Sequence, residues 1–189
     1  GVSGANDNAS GTALLVELAR AYASVPGIED VCFVAFGAEE SVNGSRGISG
    51  STVLVNNLVK TAMEKNVNAM LNLDIAGSGD SLALIGTPAL VHASHVIAKN
   101  LSIPVTTATL PHKTSSDHES FLGKGIPVIF PTVIGATIHT PMDTFSRIDP
   151  LMLNQVGTLA HAILGCLIAK DEKSLPVFTE CAREKINKG

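Results

Sequence analysis

Two adjacent carboxylates, Glu39 and Glu40, follow directly on the apolar run Val31-Cys32-Phe33-Val34-Ala35-Phe36 and Gly37. Side by side they repel each other, and each loses hydration when drawn out of water, so an uncompensated pair is costly. A cation beside them removes that cost. Three further groups sit at comparable places. Asp7 lies in a loop of small residues ahead of a helical pattern, Asp74 ends the apolar run Ala69-Met70-Leu71-Asn72-Leu73, and His139 lies in a loop after another apolar run at 126–131. Carboxylates and imidazole around a common point suit zinc or a similar divalent ion, and a bridging carboxylate can hold two ions. The chemistry implied is hydrolysis, in which a metal acidifies water and a carboxylate that is not a ligand takes the proton. Of Glu39 and Glu40, one can bind metal while the other faces the water; periodicity leaves open which.

The elements that must position these groups alternate. Residues 31–36 read as a strand buried on both faces of a parallel sheet, where ligands gather at the carboxyl ends of strands. A helix from Ala9 carries Leu14, Leu15, Leu18, Ala19 and Tyr22 on one face and ends near Val25-Pro26-Gly27. Residues 51–64 form a second amphipathic helix, 69–74 and 82–86 strands, 88–100 a helix with proline at its start, 104–108 a strand, and 126–131 another. Between them, residues 110–122 concentrate His112, Ser115, Ser116, Asp117, His118 and Glu119, with Asp117 placed to cap a short helix. Residues 150–168 give the clearest helix, and the charged stretch from Lys170 reads as a surface tail or terminal helix. The alternation predicts one α/β domain over 1–189, a mostly parallel mixed sheet flanked by helices in three layers.

Composition narrows the partners. The 189 residues are 45% hydrophobic and 16% charged, with a net charge of −4 and no tryptophan, which fits a compact domain with a substantial core. No long basic run supports a nucleic-acid or anionic-membrane partner, and no apolar run is read as reaching spanning length. Cys32, Cys166 and Cys181 are an odd set, expected to hold at most one bridge.

Five ordered motifs carry a resemblance: Gly4-Ala5-Asn6-Asp7-Asn8-Ala9-Ser10-Gly11; Phe33-Val34-Ala35-Phe36-Gly37-Ala38-Glu39-Glu40 with Gly44-Ser45; Leu71-Asn72-Leu73-Asp74; Ser116-Asp117-His118-Glu119-Ser120-Phe121 with Gly125-Ile126-Pro127; and His139-Thr140-Pro141-Met142-Asp143-Thr144. Together they resemble the M28 family of co-catalytic zinc aminopeptidases. The resemblance implies that Asp7 bridges two zinc ions, Glu39 is the general base, Glu40 and His139 bind one ion, and Asp74 binds the other. It implies supporting roles for Asp117 and Asp143, peptide substrates with a free N-terminus, and a secreted or periplasmic setting. The family also draws a histidine from a strand upstream of its bridging aspartate, which this sequence does not contain. The chain therefore reads as the C-terminal portion of a longer enzyme, with the N-terminal segment of that enzyme as its partner. His112 and His118 are the candidates for a substitute ligand, whereas His92, His95 and His161 lie on helices as ordinary residues. A single-zinc glutaminyl cyclase and a non-catalytic module of the same fold are the competing readings. The lack of tryptophan weighs against the first, and retention of the acids and His139 against the second.

Overall fold

The computed structural model describes residues 2–41, 47–110 and 115–169. The expectations for residues 44–46, His112, Cys181 and the tail 170–189 lie outside the described residues. A π-type turn at Ala5–Ser10 leads into α1 (Gly11–Tyr22), followed by α2 (Ser49–Lys60), β1 (Met70–Leu71), β2 (Ser81–Gly86), α3 (Pro88–Asn100), β3 (Thr106–Thr109), α4 (His118–Leu122), β4 (Val128–Ile134) and α5 (Pro150–Ile168). The strands order β1-β4-β2-β3; the two outer pairs are parallel and the central β2–β4 pair antiparallel. The sheet is mixed, as expected.

Alternation along the strands builds the layers. Leu82 and Leu84 of β2, with Ile129 and Val133 of β4, pack beneath α1, α3 and α5. Val128 faces the other way, onto Val55 of α2 and Phe121 of α4, while Ala83, Ile85 and Phe130 form a smaller cluster of their own. Helix α5 is long and apolar enough to cross a membrane by length and composition, which corrects the reading that no run reaches that length. One face of it packs into the core, where Val156, Leu159, Ala160 and Ile163 are fully buried. Leu151, in its first turn, is exposed. Asp149 caps the helix by accepting from the Leu151 N–H at 2.8 Å, and Pro150 occupies the first turn, where no backbone donor is needed.

Two readings change. Residues 31–36 are extended but pair with no strand among the described residues, and Cys32, Val34 and Ala35 are exposed. The segment does lie level with the sheet: Val31 and Phe33 join the cluster beneath α1 and α5 along with Leu71 and Leu73, and Phe36 joins the one beneath α2 and α4 with Met70. A hollow of about 710 Å³ separates it from β1, so its backbone has no neighbour to bond. The second change is that β4 runs through Pro131 to Ile134. The Ile129 carbonyl accepts from Asn72 and the Val133 N–H donates to Ile75, so alternate residues of β4, Pro131 included, turn their backbone polar groups toward β1. The missing proline N–H therefore interrupts the β1 side alone, and pairing with β2 continues. Opposite that gap the chain at Leu73 and Asp74 leaves the ladder.

Helix α1 meets this point closely. A side-chain carbon on Gly11 would stand 2.2 Å from the Leu73 carbonyl oxygen and 2.4 Å from Asn8 Oδ1. Gly11→Ala is expected to cost about 2 kcal/mol through forced displacement of α1, read as a lowered denaturation midpoint with an unchanged slope in urea.

Candidate active site

Asp7, Glu40 and His139 arrive from the turn before α1, the segment after Phe36 and the loop after β4. The His139 Nε2 lies 2.9 Å from Asp7 Oδ2 and 3.1 Å from Glu40 Oε1. One donor atom from each falls within 4.8 Å of the others. A nitrogen and two carboxylate oxygens converging in this way make a donor set suited to a divalent metal. The backbone is bent into the left-handed region at His139 itself, with φ 56°, at Ala38 before Glu39, with 56°, and at Ile75 after Asp74, with 52°. Such conformations cost non-glycine residues about 1–3 kcal/mol each and persist only where surrounding structure imposes them.

That structure is a set of short polar bonds. Asp143, buried, accepts from the backbone N–H of Asn6 at 2.6 Å and of Asp7 at 3.0 Å, one per carboxylate oxygen. Asp143, to which the resemblance gives a supporting role, thus grips the peptide groups that carry Asp7. Asn6 accepts from the Gly77 N–H at 2.7 Å and donates to the Ser78 carbonyl at 2.9 Å. Asn8 donates to the Leu73 carbonyl at 2.9 Å and accepts from Gly11. Asp7 is therefore held between two asparagines, each tied to the chain on one side of Asp74. On the other strand segment, the Ile48 and Ser49 N–H groups donate to the carbonyls of Glu39 and Ala38.

Asp74 is not part of the three-residue cluster, but it is close enough to Asp7 and Glu39 to raise their common potential. Burial, chiefly, pushes its carboxyl up to about 6, against the lowering effect of the Ser116 hydroxyl and with a further rise from Asp7. Ser116 donates to Asp74 Oδ2 at 2.7 Å, and Asp74 Oδ1 is buried with no hydrogen-bond partner. An ion would satisfy that oxygen. Glu39 is pushed up to about 7, first by burial, then by the negative charges of Asp74, Glu40, Asp117 and Asp7. Burial and Glu40 also raise Asp7, with His139 acting the other way. Asp117 is raised by burial and opposed by the Ser51 hydroxyl. Its side chain makes no cap bond to α4, which corrects the capping role; it adds to the negative potential around Glu39 instead.

His118 is fully buried against Phe130, ring centres 5.0 Å apart, and burial lowers its pKa to about 4. It stands outside the metal-competent group of Asp7, Glu40 and His139 found among the described residues. His92, His95 and His161 are exposed on their helices. Sequence reasoning gave no role to Ser10, Asn72 or Ser116 and read Asn6 and Asn8 only as residues at a helix N-terminus, where capping side chains are favoured. The signal was present in their positions within the motifs: short polar residues flanking each acid, types that bond backbone more readily than they extend regular structure.

The chain matches the profile of Peptidase family M28 over residues 1–164. It is 31% identical over 184 residues to aminopeptidase YwaD of Bacillus subtilis, covering 90% of this chain and 39% of that protein. The crystal structure of BSAP, a zinc aminopeptidase from Bacillus subtilis, superposes with a TM-score of 0.74 at 27% identity, over 91% of this chain and 44% of the other. An Acidobacteriales bacterium glutaminyl cyclase shares the fold, with TM-score 0.68 at 20% identity, over 96% of this chain and 63% of that one. The chain spans less than half the length of the aminopeptidases it matches.

Because the folded protein holds the Glu39 proton more tightly than the unfolded chain, its loss as pH rises from about 4.5 to 7 costs the fold stability. The metal-free Glu39→Gln variant should therefore match the parent near pH 4.5 and exceed it by about 1 kcal/mol above pH 7.5, a figure discounted for the partial exposure of Glu39. Thermal unfolding in chelator across that range checks both the sign and the window.

Proposed function

The chain belongs to peptidase family M28, and on that footing we propose that it is the catalytic part of a zinc-dependent aminopeptidase that removes the N-terminal residue of peptides. The observation that carries this reading is the convergence of Asp7, Glu40 and His139 beside a second glutamate whose pKa lies near neutrality. In this reading Asp7, Glu40 and His139 hold one zinc, and Asp7 and Asp74 contribute to a second. Zinc supplies a more acidic water and polarises the scissile carbonyl. Glu39 takes a proton from the attacking water and returns it to the leaving amide nitrogen, so that one peptide bond breaks and an amino acid and a shortened peptide leave. Its pKa of about 7 is that of the metal-free site, and the charge of a bound cation would draw it downward, toward the form that accepts a proton. The surrounding carboxylates also offer a counter-charge to the substrate's free α-ammonium, which supports exopeptidase specificity.

The hollow beside β1 supports a partner for the chain. Its rims, residues 31–36 and 69–73, both run toward the acids, at Glu39 and Asp74, and both present extended backbone and apolar side chains such as Val31, Phe33, Met70 and Leu71. An extended apolar segment fits there as an added strand. We assign that segment to the upstream part of the same enzyme, where its end would reach Asp7 and Asp74.

In the full-length enzyme, Glu39→Gln should lower kcat at least 10³-fold on a peptide with a free N-terminus, of the order expected for a lost general base acting on the nucleophile, with zinc content unchanged. Retention of activity within tenfold overturns the role of Glu39. Ammonia release from an N-terminal glutamine peptide, with no amino acid freed, would replace the aminopeptidase reading with a cyclase. Elemental analysis of the chain alone should give one zinc, lost in Glu40→Ala/His139→Ala, and two once it is joined to its upstream segment. An equal count in both forms removes the hollow's role in the metal site.

A further inference from the structure

Behind Asp74 stands a buried chain of side chains that no role above absorbs. Asn72, two residues back along the strand, sends its amide nitrogen to Ser116 Oγ at 2.9 Å and toward His118 Nδ1 at 3.4 Å, and Ser116 Oγ bonds Asp74 Oδ2 at 2.7 Å. Asn72 is 5% exposed, Ser116 2% and His118 0%. The direction of every proton in this chain follows from one fact: an ionised carboxylate can only accept. Ser116 must then spend its single O–H on Asp74, so its oxygen must accept from Asn72. That requires the Asn72 amide nitrogen, not its oxygen, to face Ser116. The same nitrogen faces His118, whose Nδ1 is then the acceptor and whose proton sits on Nε2. The His118 Nε2 has no partner and is sealed from water, so the ring is locked by Asn72 on one edge and by packing on Phe130 on its face.

We propose that Asn72 is a positioning residue for the metal site, acting through Ser116: with His118 as its fixed anchor, it keeps the Ser116 hydroxyl pointed at Asp74 Oδ2, so that Oδ1 is the oxygen left for a metal. The inference rests on the zinc reading of Asp74. A packing role alone would be met by any side chain of similar volume. This arrangement uses the two amide hydrogens of asparagine separately, one to orient the hydroxyl and one to hold the imidazole tautomer.

The first test needs no substitution. In the full-length enzyme labelled with nitrogen-15 histidine, the His118 resonances, assigned by their disappearance in His118→Gln, should report a neutral ring protonated on Nε2 near pH 7. A ring protonated on Nδ1 means the amide is turned the other way and overturns the proposal. The second is a double-mutant cycle on zinc affinity, measured by chelator competition. Asn72→Leu, similar in volume and without donors, and Ser116→Ala should each weaken the more weakly held zinc by about 10–100-fold, the range for lost partners of metal ligands. The double variant should fall within about threefold of the worse single, because both act on one bond. KM for peptide should stay within twofold while kcat falls. Zinc affinity within twofold of the parent in folded Asn72→Leu, or a double variant that multiplies the two single losses, overturns the proposal. Neither the tautomer nor the zinc affinity depends on turnover. A parent that binds two zinc ions and passes both tests yet cleaves no peptide overturns the aminopeptidase reading and leaves this inference standing.

Discussion

Among the described residues, six carboxylates, Asp7, Glu39, Glu40, Asp74, Asp117 and Asp143, are drawn together at one end of the structure, with the imidazole of His139 beside Asp7 and Glu40 to oppose them. Like charges leaving water together is the dominant electrostatic cost in this protein, and the surroundings are arranged around it. Burial is the leading cause of every upward shift among these acids that is resolved, and mutual repulsion adds to it for Asp7, Glu39 and Asp74. Hydroxyls of Ser116 and Ser51 relieve Asp74 and Asp117 in part. What remains uncompensated is a concentrated negative potential with two buried oxygens, Asp74 Oδ1 and Asp117 Oδ1, still lacking a partner. A fold that accepts this cost in its metal-free form is stabilised by whatever cation satisfies it, by the ordinary linkage between ligand binding and folding.

The backbone bears a second share of the cost. Ala38, Ile75 and His139 adopt left-handed conformations beside the functional acids and imidazole, with the Ala38 carbonyl accepting from the Ser49 N–H and the Ile75 carbonyl from the Val133 N–H. Asp143 holds the peptide groups of Asn6 and Asp7, Asn6 and Asn8 tie that turn to the chain around Asp74, and the absent N–H of Pro131 lets that chain depart from the ladder. These bonds convert three loops into a surface rigid enough to present charged groups within a few ångströms of one another.

Much of the architecture is legible in the residues themselves. The helix at 88–100 with its N-terminal proline, the strand 82–86 and the long apolar helix 150–168 fall within a residue of where periodicity puts them, because each is built from local spacing against a core. The acids at the ends of apolar runs are legible for the same reason: an abrupt change from a buried pattern to Glu39 or Asp74 needs a site to explain it. Residues 31–36 show where local pattern fails. Their composition is that of a buried strand, but a strand exists only through hydrogen bonds to a neighbour, and here the neighbouring position is a hollow.

Residue type and order set the inventory of this protein: which side chains can ligate or transfer a proton, which elements carry them, and the family to which their order corresponds. Only the tertiary structure decided their grouping, placing Asp7, Glu40 and His139 within reach of one ion while setting Asp74 behind them and His118 apart. It alone set the acidities too, lifting Glu39 to about 7 and lowering His118 to about 4. The physical reason is that propensity and periodicity act over neighbouring residues. Coulomb interaction, desolvation and hydrogen-bond direction depend on distances between groups as far apart as Asp7 and Asp143, which no linear spacing encodes.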